Sequence, residues 1–116
     1  MQYNITMGTT KSTEFTHEQN HKAILFKALG HPARVAIVEH LLSVNTCICN
    51  DLVGVLPLSQ ATISQHLREL KECGIIQGTI EGNSLCYCLN IKILSEIKDI
   101  IDTFLRENPQ NNPTCC

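Results

Sequence analysis

Residues 58–89 read "LSQATISQHLRELKECGIIQGTIEGNSLCYCL". Ser59 suits a helix N-cap, because its hydroxyl can accept from an orphan N–H of the first turn. Ile63, Leu67 and Leu70 then recur at i, i+4 and i+7, the inner stripe of an amphipathic helix running from Gln60 to about Cys73. Gly74 closes it. Two β-rich runs follow, separated by Gly82-Asn83, a pair that favours a tight hairpin turn. The stretch therefore predicts a surface helix followed at once by a β-hairpin.

Upstream, Ala23, Ile24, Phe26 and Leu29 fit a short helix from Glu18 to Leu29, ended by Gly30. "HPARVAIVEHLLS" restarts with Pro32 in the first helical position, and Val35, Ile37, Val38, Leu41 and Leu42 offer a broad apolar face. A third short helix is expected from about Ile48 to Leu56, stopped by Pro57. Downstream, "IKILSEIKDIIDTFLREN" is a long helix with Ile91, Leu94, Ile97, Ile100, Ile101, Phe104 and Leu105 apolar. That stripe is wider than a domain this small needs for itself.

The expected fold is mainly α with one small β-hairpin: four helices, two strands, and a last helix. Two short helices joined by a tight turn, then a hairpin, describe a winged helix-turn-helix. Residues 1–17 read as a polar arm, 18–107 as the folded domain, and 108–116 as a cysteine-containing tail too polar to pack.

The bulk properties narrow the function. The chain has 116 residues, 43% of them hydrophobic and 17% charged, enough for one globular domain. No apolar run approaches the ~18 residues of a membrane span, and the polar N-terminus lacks a secretory signal, so the cytoplasm is expected. Seven cysteines, an odd number, argue there for metal binding or redox chemistry rather than a disulfide framework. No acid/base constellation or nucleotide loop supports an enzyme.

DNA is the expected partner despite a formal net charge of −2, because the local charge of the contacting face matters most. Outside its apolar stripe the helix after Ser59 shows Gln60, Thr62, Ser64, Gln65, His66 and Arg68. These hydroxyl, amide and cationic groups can bond base edges and phosphates in a major groove. The local balance is poor for tight binding: over residues 47–72, Arg68 and Lys71 face Asp51, Glu69 and Glu72. Two copies on a palindrome are then needed for useful affinity.

"KALGHPARVAIVEHLL" (27–42) together with residues 46–89, from "TCICNDLV" to "LCYCL", closely resembles the ArsR/SmtB metalloregulatory repressors. The resemblance spans residues 20 to about 105 and is most specific in "LSQATISQHLRELKECGII". It implies a homodimer formed by the first and last helices that represses its operon and leaves DNA on binding a toxic metal or metalloid.

In that family a Cys-x-Cys often opens the third helix, and Cys47-Ile48-Cys49 falls there. On a regular helix i and i+2 point about 200° apart, so the two could share an ion only by disturbing the first turn. The third cysteine of arsenic-sensing relatives is replaced by the Leu52-Val53 region. The arm cysteines of cadmium and lead sensors are absent from residues 1–46, and the last-helix histidines of zinc sensors from residues 91–107. Cys115 or Cys116 is left as the expected third ligand. Cys86 and Cys88 form a reserve, able to chelate if Leu85, Tyr87 and Leu89 take the core side of their strand. Cys73 is expected to pack. Such a three-thiolate set suits As(III) or Sb(III). The rival readings are a cadmium/lead-type sensor and a thiol redox or persulfide switch on the same scaffold. The redox switch requires two cysteines within disulfide range.

Overall fold

The computed structural model describes residues 12–44, 47–49, 54–81 and 84–106. After a 3-10 turn at Ser12–Glu14 come α1 (His17–Leu29), α2 (Pro32–Val44), β1 (Ile48–Cys49), α3 (Gln60–Glu72), β2 (Ile76–Glu81), β3 (Ser84–Leu89) and α4 (Ile91–Arg106). The strands form one antiparallel sheet in the order β1-β3-β2.

Each helix starts where local chemistry satisfies its first N–H groups. Thr16 caps α1 through a capping box: its hydroxyl accepts from the Gln19 N–H, and its own N–H donates to Gln19 Oε1, both at 3.0 Å. His31 precedes Pro32 and accepts the Ala33 N–H on Nδ1 at 3.0 Å. Ser59 Oγ accepts the Thr62 N–H at 3.3 Å, as its position predicts. Asn90 starts α4 by accepting the Lys92 N–H on Oδ1, while its own N–H is bonded to the Ile75 carbonyl.

Ile63, Leu67 and Leu70 of α3 are fully buried against Leu25, Ile37 and Leu41, and Ile75, Ile76, Leu85 and Tyr87 close the core from the sheet side. The α2 face is narrower than its composition promised. Ile37, Val38 and Leu41 are buried, whereas Val35 and Leu42 are exposed.

The expected third helix does not begin at Ile48. Ile48 and Cys49 are strand, paired with Tyr87 and Cys86 of β3, so the described residues hold four α-helices rather than five. Cys-Ile-Cys has the two-residue alternation of a strand, and burying Ile48 beside Tyr87 rewards that geometry. Of the rest of that expected helix, residues 54–56 form no α-helix, and residues 50–53 lie outside the described residues. So do the Gly82-Asn83 turn, most of the arm and the whole 108–116 tail with Cys115 and Cys116. The β2–β3 ladder runs to Glu81 opposite Ser84.

Gly78 makes the sheet possible at one point. It lies opposite Tyr87 with φ +138°, and a Cβ there would collide with the Cys86 carbonyl and the Tyr87 Cα. Gly78→Ala is expected to cost roughly 1–3 kcal/mol of stability. Its denaturant midpoint should fall well below that of Thr79→Ala, a neighbour on the exposed face, as measured by circular dichroism.

Candidate nucleic-acid interface and thiol face

The buried stripe of α3 fixes which of its side chains point outward. Gln60, Thr62, Gln65 and Arg68 are exposed. Ser64, expected with them, is only 7% exposed and belongs to the inner face, one residue past Ile63. Ser59 is exposed, with its hydroxyl engaged at the cap and donating to Thr62 Oγ1.

His66 also departs from expectation. It is half-buried against α2, its ring centroid 4.4 Å from that of His31, and its Nδ1 accepts from Arg34 Nε at 3.3 Å. Arg34 carries no local sign of its role in the sequence, yet it ties three helices together. Its side chain is 13% exposed and ion-pairs with Glu69 of α3. Its Nη1 donates to the carbonyls of Ala28 (3.3 Å) and Lys27 (3.5 Å) at the end of α1. A guanidinium's fork of donors allows this simultaneous bridging. The tie also engages the Glu69 carboxylate, one of the acidic groups counted against DNA binding.

Burial, His31 and Arg34 hold the His66 pKa below the ordinary histidine value, opposed by Glu69. A histidine depressed in the folded state favours folding most above its unfolded pKa of ~6.5, and that contribution is lost as pH falls toward the folded value. Stability should therefore drop between pH 7.5 and 5, and the slope of denaturant midpoint against pH should be shallower in His66→Gln. An unchanged slope would remove His66 as the cause.

The second feature lies on the sheet. Ile48, Leu85 and Tyr87 point into the core, so Cys49 and Cys86, cross-strand partners, point the other way. Cys47 and Cys88 sit beside them in the same alternation. The structure joins these four as Cys47–Cys88 and Cys49–Cys86 disulfides, with Cα separations of 4.4 and 4.1 Å. Cys47, Cys49 and Cys86 are exposed and Cys88 is half-buried. The expected obstacle between Cys47 and Cys49 is absent, because on a strand i and i+2 share a face. Cys86 and Cys88 face outward, as the alternation of β3 requires. Cys73 is half-buried, donates to the Leu70 carbonyl at 3.4 Å, and has its pKa raised by burial.

A third feature is apolar. Ile91, Ile101, Phe104 and Leu105 of α4 are exposed, as is Phe15 before α1. Helices α1 and α4 meet through Phe26 and Phe104, whose ring centroids lie 6.2 Å apart, and through a hydrogen bond between His21 Nε2 and Glu96 Oε1. No helix among the described residues is long and apolar enough to cross a membrane.

Comparison with known proteins agrees with this geometry. The family model described as "Bacterial regulatory protein, arsR family" matches residues 31–77, from the α2 cap into β2. The HTH-type transcriptional repressor SmtB of Mycobacterium tuberculosis is 38% identical over 65 residues, 56% of this chain and 47% of that one. The chain thus spans about half the length of that relative. An uncharacterized HTH-type transcriptional regulator of Methanocaldococcus jannaschii is 37% identical over 82 residues, covering 69% of this chain and 90% of its own length. In fold, the crystal structure of an ArsR family transcriptional regulator superposes with a TM-score of 0.70 at 13% identity, covering 84% of this chain and all of the other.

Proposed function

The chain belongs to the arsR family of bacterial regulatory proteins, and we propose that it is a homodimeric repressor that leaves its operator when As(III) or Sb(III) binds cysteine thiolates. The observation that carries the sensing half is the gathering of Cys47, Cys49, Cys86 and Cys88 on one sheet face. When reduced, this face supplies the third thiolate that Cys47 and Cys49 lack, without recourse to Cys115 or Cys116. Donors confined to one side suit a pyramidal trivalent ion, whose lone pair takes the open side. Zinc prefers donors all round it.

DNA reading is assigned to the exposed face of α3. Gln60, Thr62, Gln65 and Arg68 meet base edges and phosphates, and the capped N-terminus with Ser59 adds free N–H groups. Ser64 and His66 instead hold the helix to its support. The exposed apolar side chains of α4, with those near α1, form the face joining two copies. Dimerisation sets two α3 helices against the two halves of a palindrome. The thiol face lies on the wing strand β3 and on the chain leading into α3. Ligation there therefore acts on the wing and on the chain leading into α3, and not on the apolar stripe and Arg34 that seat the helix itself.

Reduced protein should retard a palindromic fragment from its own promoter region in a mobility-shift assay. As(III) or Sb(III) should weaken binding about tenfold or more, a typical coupling between sites, while Zn(II) has little effect. Cys49→Ser should keep the DNA affinity and lose the response. A protein that retards no such fragment is not this repressor, and release by Zn(II) or Cd(II) alone rejects the metalloid assignment.

A further inference from the structure

The same sulfurs that serve a metalloid when reduced are joined to each other across β1 and β3. We propose that this face is also a reversible oxidation site, and that its disulfide form is a repressor blind to metalloid. The inference rests on the proposed function for its DNA readout, whereas the oxidation chemistry stands on the geometry alone.

Three observations lead to it. First, the pairing is built into the register. Ile48 opposite Tyr87 anchors β1 from the core side, which brings Cys49 against Cys86 and Cys47 against Cys88 with Cα separations of 4.1 and 4.4 Å. Second, Cys47, Cys49 and Cys86 are exposed, so a small oxidant can reach both pairs. Cys73, by contrast, is half-buried and bonded to a backbone carbonyl. Third, with all four sulfurs engaged in S–S bonds, no thiolate is left on this face to ligate a metalloid. Oxidation thus leaves the metalloid no site there.

The chemistry closes with hydrogen peroxide as oxidant. In each pair one thiolate attacks a peroxide oxygen, giving a sulfenic acid and releasing hydroxide. The partner thiolate then displaces the sulfenic oxygen, and an S–S bond forms. Four thiols and two peroxides yield two disulfides and four waters. A low-molecular-weight disulfide reaches the same product by exchange, releasing two thiols for each bond formed.

The DNA consequence follows from where the bonds lie. Both are on the sheet face away from the core, whereas the α3 side chains that read DNA are held by Ile63, Leu67, Leu70 and Arg34. In the structure that carries both disulfides, Gln60, Thr62, Gln65 and Arg68 are already outward. Oxidation therefore fastens β1 to the wing without displacing the reading helix.

The test uses full-length protein carrying Cys73→Ser, Cys115→Ser and Cys116→Ser, so that only the four sheet cysteines remain. Peroxide treatment should remove four hydrogens by intact mass, and peptide mapping should recover 47–88 and 49–86 links within one chain. A reductant should reverse both. Oxidised protein should retain its promoter fragment, and As(III) that releases the reduced form should leave it bound. Adding Cys47→Ser and Cys88→Ser should halve the hydrogen loss. Thiols that stay alkylatable after peroxide, links between different partners, DNA release on oxidation, or release of oxidised protein by As(III) would each overturn the proposal. If the reduced protein binds no DNA at all, the repressor reading fails, while the mass and mapping results still decide the oxidation site.

Discussion

The placement of Ile48 opposite Tyr87 decides which residues of β1 and β3 face the core and which face away. A strand side chain can enter the core only if its two neighbours leave it. Burying Ile48 therefore turns Cys47 and Cys49 outward, and burying Leu85 and Tyr87 does the same for Cys86 and Cys88. Because β1 and β3 are antiparallel, the outward residues meet in pairs. Gly78 lets β2 close on the other side of β3, so the sulfur-bearing strand is held between two neighbours.

A second constraint orients the reading helix. The apolar stripe of α3 sets its rotation about its own axis, and Arg34 sets its relation to α1 and α2 through Glu69, His66 and two carbonyls. The stripe alone would allow the helix to slide along its groove. Directional bonds at one end limit that freedom. Satisfying a mostly buried guanidinium with an ion pair and several acceptors also avoids leaving a charge stranded between helices.

Much of this was legible in residues 58–89. The i, i+4, i+7 stripe, the Ser59 cap and the alternation of β3 all rest on local periodicity, and each appears in the structure. The start of β1 was not legible, because three residues of Cys-Ile-Cys fit a helix or a strand equally until β3 lies beside them. The burial of Ser64, where an exposed position is expected, has a related cause. A serine beside an isoleucine gives no local sign of which side of the stripe it falls on. Arg34 and His66 were hidden more deeply, since their roles depend on partners many residues away in sequence. The fourfold gathering of cysteines depended entirely on strand order.

The sulfur-bearing side of the sheet has a further consequence. Its four positions supply no side chain to the hydrophobic interior, which is completed by Ile48, Leu85 and Tyr87 behind them. They form a layer that can be rewritten without rebuilding the molecule. Histidines, carboxylates or inert residues installed there meet no packing demand from the core, so the chemistry of this face can change while α3 keeps its support. In design terms a fixed helical frame carries an exchangeable chemical surface.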